Sequence, residues 1–428
     1  MDEETRRPRV TIDLTYVIFH ATWHPTLDGI ARVQLDVAIA LLRLNPAAIP
    51  FSLDNGAWRD LRPLIESACF DSQDIFAALH EHFFFRRESP RWRDPRHLFR
   101  LAKAHVRAFF KRLRARAPEI GADDTLFVGG AFWMNRNVLN FIGHAAKKGA
   151  HLVVLFHDLI PFTHPQFTGH DFTDEYREVL CLPAHFIVTT PFNLTELESV
   201  RARFCPKAQP LSASIVALAD EFLGAARNER SPPPSGRLAR LAGRDFALCV
   251  GTIEVRKNHI TLVSCWEEFA AEPGDRLPLL VIAGRRGWRA EEVLRRLDEL
   301  EQKESPIVFV EAPTEGELRW LYSACLFTVL PSWFEGWGLP VGEGYWFGKT
   351  CAASNTSSIP TVGRDACEYF SPTDKDEMKA AIRRLLDPAV RASYEAKIKA
   401  MPLRTWAQVG SDIARVIVDC SKPQPKTR

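Results

Sequence analysis

Short apolar runs that end in a glycine- or proline-bearing loop and then pass into an amphipathic segment recur along this chain. That alternation constrains the fold more than any other feature. In the first half the runs are Val10–Val17, Thr125–Val128, His151–Phe156 and Phe186–Thr190. In the second half they are Phe246–Val250, Leu279–Ala283, Ile307–Val310, Leu326–Leu330, Thr350–Ala353 and the short Tyr369–Phe370. Helices are expected between them, at Ile30–Leu44, Asn135–Lys148, Thr190–Arg203, His259–Phe269, Glu291–Gln302, Glu315–Ser323, about Val341–Phe347, Asp374–Leu386 and Val390–Met401. Ile30, Val33, Val37, Ala40, Leu41 and Leu44 repeat close to the helical period. His-Leu-Val-Val-Leu-Phe is apolar throughout, as a parallel strand covered on both faces should be. Strand–helix alternation of this kind predicts doubly wound α/β structure. Residues 51–80 give no clear assignment.

A chain of 428 residues exceeds what one core normally organises. The composition breaks at 227–244, where Ser231-Pro232-Pro233-Pro234-Ser235-Gly236 reads as an exposed linker. This divides the chain into an N-terminal domain (1–226), a second domain (245–404), and a last helix and tail (405–428), the helix free to lie against either domain. The first residues are polar and charged, and no apolar run reaches the ~18 residues a membrane span needs. The nine cysteines lack metal-ligand spacing and point to a reducing compartment rather than a disulfide framework, with Cys249 and Cys325 as buried thiols. The expected location is cytoplasmic, peripheral on the inner face of the cell membrane if the basic stretch binds lipid. That stretch, 83–116, carries twelve Arg and Lys against Glu88 and Asp94, with aromatic and aliphatic residues at helical spacing. It suits either an anionic membrane surface or a solvated face packed on the N-terminal domain. No nucleic-acid recognition motif accompanies it, and the net charge of +2 gives no overall pull on polyanions.

The chemistry collects where the runs end. Ligands of open α/β sheets bind outside the carboxyl ends of the strands. Gly251 to Asn258 brings Arg256 and Lys257 beside a glycine loop. Gly284, Arg285, Arg286 and Gly287 follow the next run. The third loop, Pro331 to Glu343, holds Glu335, Gly336, Trp337, Gly338 and Leu339, with Glu343 in the first helical turn. Cations and loop amides suit a diphosphate, and acids suit hydroxyls. The three loops together describe a site for a phosphate flanked by two polyols, which is a nucleotide-sugar. In the first half Gly29 opens a helix that carries Arg32, and His157-Asp158 closes an apolar strand.

These stretches resemble the family-4 glycosyltransferases. The matching residues are Val250 to Asn258, Ile282-Ala283-Gly284, Leu318 to Tyr322, Pro331-Ser332 to Glu343 with its acid-seven-acid spacing, and Ala353-Ser354-Asn355. His157-Asp158 and Gly29-Ile30-Ala31-Arg32 match more loosely. The resemblance covers about residues 10–400. It implies the GT-B architecture, two facing Rossmann-like domains with a cleft between them. It also implies a retaining hexosyltransferase that needs no metal and no cofactor beyond its nucleotide diphosphate sugar, with GDP-mannose suggested by similarity to bacterial polysaccharide mannosyl- and rhamnosyltransferases. By the same resemblance Arg256 and Lys257 hold the donor diphosphate, and Glu335 and the Gly336 to Leu339 amides meet sugar and phosphate. Glu343 binds the ribose, His157 lies near the reacting carbon, and Gly29 borders the diphosphate. Asp158, Gly284 and Arg285 complete the expected substrate-binding set. The implied acceptor is a glycan or lipid-linked glycan. Thr252, Tyr345-Trp346 and Thr361 depart from the family pattern. Epimerases and phosphorylases of similar architecture, or a non-catalytic nucleotide-sugar-binding module, are the alternatives.

Overall fold

The computed structural model describes residues 8–83 and 120–422, apart from residues 25, 55–56, 71, 233–235, 273–276, 302 and 304. The basic stretch 84–119 lies outside the described residues, and so does the membrane contact expected of it.

Two sheets form, as the alternation requires. The first contains β1 (Val10–Asp13), β2 (Ile49–Asp54), β3 (Ala57–Asp60), β4 (Thr125–Val128), β5 (His151–Phe156), β6 (Ala184–Val188) and β7 (Ser212–Ile215), in the spatial order β3-β2-β1-β4-β5-β6-β7. All its pairings are parallel except β2 with β3. The second contains β8 (Phe246–Val250), β9 (Leu279–Gly284), β10 (Ile307–Glu311), β11 (Thr328–Leu330), β12 (Cys351–Ser354) and β13 (Cys367–Phe370). It is wholly parallel, in the order β10-β9-β8-β11-β12-β13. Within each sheet the strand order reverses beside the first strand, between β1 and β4 and between β8 and β11. Such a switch point is where the loops at the carboxyl ends diverge and leave a crevice.

Most expected elements are present within a residue or two. Four differences have physical causes. The first strand stops at Asp13 instead of running to Val17. Asp13 Oδ1 accepts from the Thr15 amide at 3.1 Å and from Thr15 Oγ1 at 2.5 Å, and this turns the chain into a helix, Thr15–Trp23, that buries Val17, Ile18 and Ala21. His20 sits on this helix. The unassigned stretch after residue 51 completes the β2–β3 hairpin and two helices, Arg62–Ser67 and Ser72–Phe83. β7, Ser-Ala-Ser-Ile, lacks an apolar signature because it is a half-exposed edge strand. Cys181 and Cys205 are joined by a disulfide, Cα atoms 5.4 Å apart, against the expectation of thiols throughout. Cys249 and Cys325 are buried thiols.

Part of the linker expected at 227–244 packs against the second sheet. Leu238 and Leu241 from that stretch are buried with Phe222, Phe246 and Leu248 under the second sheet. The chain passes between sheets earlier, around Asp220, and returns at Arg404. The Asp220 amide donates to the Arg404 carbonyl at 2.9 Å, and the Arg404 amide to Asp220 Oδ2 at 2.8 Å. The last helix, Trp406–Cys420, starts at a Thr405–Gln408 capping box. It packs on Gly29–Leu44 of the first domain, so closely that a Cβ on Gly410 would lie 2.3 Å from that of Ala40. Among the described residues no helix is long and apolar enough to cross a membrane.

Candidate active site

The two switch points face each other across a cleft of about 280 Å³. Of the residues singled out from the sequence, it is lined by Gly29, His157, Asp158, Arg256, Lys257, Gly284, Arg285, Glu335, Gly336, Trp337, Gly338, Leu339 and Glu343, and not by Arg286 or Gly287.

The loop after β8 closes on the loop after β11. Arg256 Nη1 donates to Glu335 Oε2 at 2.7 Å and to the Phe334 carbonyl at 2.6 Å, and its other arm reaches Glu254. Lys257 Nζ donates to Glu335 Oε1 at 2.6 Å, which also accepts from Ser332 Oγ at 2.6 Å. Burial opposes the Glu335 charge, but Arg256 and Lys257 outweigh it and hold the carboxyl down at about 2. The glycines serve close approach. A Cβ on Gly284 would lie 1.8 Å from the Gly251 carbonyl oxygen, so only glycine lets these two loops touch. Gly338 has a φ of +107°, and it starts the helix Leu339–Trp346. No acceptor among the described residues takes the amides of Gly336, Trp337, Gly338 or Leu339, and all four residues line the cleft.

The second cationic loop divides. Arg285 turns into the cleft, where Nη1 lies 3.0 Å from His20 Nε2 and Nη2 lies 3.7 Å from Asp28. Arg286 turns outward to Asp298 and Glu311. Trp288, from the same loop, donates its indole N–H to the Phe167 carbonyl at 3.0 Å and ties the rim of one domain to the other.

The first domain supplies the facing wall. His157 Nε2 donates to the Gly129 carbonyl at 2.8 Å, which leaves Nδ1 as the acceptor. Burial lowers its pKa, so the ring is neutral. Asp158 accepts from the Ile160 amide at 3.2 Å, and burial raises its pKa although Arg256 opposes this. The Gly336 peptide lies flat on this wall. Its carbonyl accepts from Thr189 Oγ1 and Asn193 Nδ2, both at 2.7 Å.

Glu343 is shared between domains. Oε1 accepts from Arg32 Nη1 at 3.2 Å and Oε2 from the Tyr322 hydroxyl at 2.7 Å. Arg32 also reaches Glu315 Oε1 at 2.5 Å. Asp36, one turn along the same helix, is buried without a full counter-charge. Burial, only partly relieved by Arg32, pushes its carboxyl up to about 8. Between the ordinary carboxylate value and that one, the folded chain keeps a proton that the unfolded chain has lost, so stability falls as pH rises. Asp36→Asn removes this slope. Its melting temperature at pH 7 should rise by roughly 2–5 °C and match the parent below pH 3.5. An equal rise at both pH values would contradict the assignment.

Each cation lining the cleft is thus paired with an acid, which motif spacing does not reveal. The sequence also gave no role to Thr189, Asn193, Ser332, Tyr322, Glu254 or Arg32. Asn193 was visible only within the expected helix Thr190–Arg203, and Tyr322 only as the end of the family-like stretch Leu318 to Tyr322. Two of the departures from the family pattern, Tyr345 and Trp346, are accommodated by hydrogen bonds. The Tyr345 hydroxyl donates to the Gly363 carbonyl at 2.6 Å, and Trp346 Nε1 to the Ala225 carbonyl at 2.9 Å.

Two facing doubly wound domains, with phosphate-type loops at opposed switch points, make up the GT-B architecture. Residues 244–388 match the family described as glycosyl transferases group 1. The chain is similar to the O-antigen chain mannosyltransferase B of Escherichia coli, at 28% identity over 59% of this chain and 67% of that one. It is also 28% identical to the serotype-specific mannosyltransferase WbdA of Escherichia coli, over 38% of this chain and 20% of that longer protein. The solved structure of Anabaena HepE in complex with UDP and glucose shares the fold, with a TM-score of 0.62 at 12% identity over 96% of this chain and 100% of that one.

Proposed function

We propose that this glycosyltransferase moves a hexose from a nucleoside diphosphate donor to a hydroxyl of a growing polysaccharide, with retention of the anomeric configuration. The observation that carries this reading is the Arg256–Lys257–Glu335 cluster opposite the neutral His157. A diphosphate beside it meets the remaining Lys257 and Arg256 protons and the open amides of Gly336 to Leu339. Those charges suit the leaving oxygens as the glycosidic bond breaks, the electrostatic role a metal ion fills elsewhere. Among the described residues no group of three or more His, Cys, Asp or Glu is arranged to hold a metal.

Glu335 is engaged on both oxygens by cations and by Ser332, which suits a sugar-hydroxyl acceptor better than a covalent nucleophile. The acceptor hydroxyl then attacks from the face the leaving phosphate vacates, and a phosphate oxygen takes its proton. His157, with Nε2 on the Gly129 carbonyl, has Nδ1 left to accept from a donor-sugar hydroxyl. Mannose as the transferred sugar is supported by the E. coli mannosyltransferases named above, and GDP as the leaving group goes with the GDP-mannose that the sequence resemblance suggests. Asp158 and Gly29 border the sugar and the diphosphate, and Gly284 and Arg285 the phosphate side. The acceptor is a glycan or lipid-linked glycan, and a lipid-linked one would bring the chain to the inner face of the cell membrane.

Incubation with GDP-mannose, UDP-glucose and their relatives plus an oligomannoside acceptor, followed by NMR of the product, tests the reading. An α-linked product from an α-linked donor is expected. A β-linked product would remove retention. Turnover without acceptor, or only with phosphate, would replace transfer by epimerisation or phosphorolysis.

A further inference from the structure

Arg32 belongs to one domain and does its bonding in the other. Asp28 caps the helix Gly29–Leu44, accepting from the Ala31 amide at 2.7 Å, and so fixes where the first turn begins. Arg32 leaves that turn and crosses the cleft. Its guanidinium sits 5.1 Å from the centre of the Phe222 ring and forks between Glu343 and Glu315. The side chain is only 11% exposed. The planar fork matters here, because it sets the direction of each hydrogen bond and not only the charge. Glu343 has one partner from its own domain, Tyr322 on Oε2, and one from the facing domain, Arg32 on Oε1. A carboxylate offers about four lone-pair positions, so each oxygen keeps one acceptor position after these bonds. The two bonds fix where those positions point.

We propose that Arg32 is a positioning residue for recognition of the donor's ribose. It holds Glu343 so that its remaining acceptor positions meet the vicinal hydroxyls, and it thereby makes ribose recognition depend on the first domain being in place. This rests on the reading of Glu343 as the ribose acceptor. It adds that the selectivity for a ribonucleotide is assembled from both domains, although Glu343, the ribose acceptor, belongs to the second.

The test compares dissociation constants of the full chain for GDP and UDP with those for their 2′-deoxy and 3′-deoxy counterparts. A charge-assisted hydrogen bond predicts that the parent prefers the ribonucleotide by about tenfold or more. Arg32→Gln should bring the ratio to within about twofold. Arg32→Lys keeps a buried charge but loses the fork, and should lower the ratio at least about threefold. Affinity lost equally for ribo- and deoxynucleotides would indicate general loosening and overturn the proposal. If Arg32→Gln does not fold, Arg32→Lys decides, and an unchanged ratio in it overturns the proposal. Glu343→Gln separates the two levels. If it keeps the full preference, or if the parent shows none, the ribose assignment of Glu343 fails and takes the proposal with it. If Glu343→Gln loses the preference while both Arg32 variants keep it, only the positioning role of Arg32 fails.

Discussion

Replacing Arg256 by alanine is expected to lower kcat/KM for sugar transfer by about 10²- to 10³-fold, mostly through kcat. The argument is positional. Arg256 is held by three acceptors, Glu254, Glu335 and the Phe334 carbonyl, so its direction is set before any donor arrives. A donor group that need not reorganise stabilises developing charge more than one that must. Lys257→Met should fall in the same range, because Lys257 shares Glu335 with Arg256. Removing one member of a buried ionic cluster also leaves the others under-compensated. Melting curves must therefore accompany the kinetics, and a folded variant within about threefold of parental kcat/KM would refute the role given to Arg256.

Gly336→Ala is the second large effect. The new Cβ would lie 2.1 Å from the His157 carbonyl oxygen and 3.1 Å from the Asp158 Cβ. The first obstacle is backbone, which cannot rotate away, so the two domains must separate. The Gly336 carbonyl would then lose Thr189 and Asn193. Misplacing facing groups by about 1 Å can cost on the order of a hundredfold in rate, and a loss of that size is expected while far-ultraviolet circular dichroism stays near parental. Gly143→Ala is the matched control. A Cβ there meets nothing within 4 Å, and its position in the helix Arg136–Lys147 favours alanine. Equal activity in the two variants would show that the close approach at Gly336 does not matter.

What the sequence revealed and what it concealed divide along a physical line. Strand ends, loop glycines and the first turn after Gly338 are encoded by neighbouring residues. The cleft could therefore be drawn around Arg256, Lys257, Glu335 and Glu343 from spacing and resemblance. Pairings between distant residues are decided by tertiary packing. Arg32 and Glu343 are 311 positions apart, and no local pattern announces that contact. The pairing of both Arg256 and Lys257 with Glu335 was concealed for the same reason, and so were the docking of Gly410 on Ala40 and the link between Cys181 and Cys205. The early end of β1 is different. It was a local signal, Asp13 before Thr15, that the apolar alternation of Val10 to Val17 masked.

The docking of Trp406–Cys420 on Gly29–Leu44 makes the second domain, in effect, an insertion within the first. Synthesis proceeds from the amino end and domains tend to fold as they emerge. Here the first domain cannot cover the Ala40 side of its own early helix until Gly410 has been made, so that surface stays open while the whole second sheet is assembled. The inserted domain has its sheet complete by Phe370 and can close before its host does. Order of manufacture and order of completion are therefore reversed.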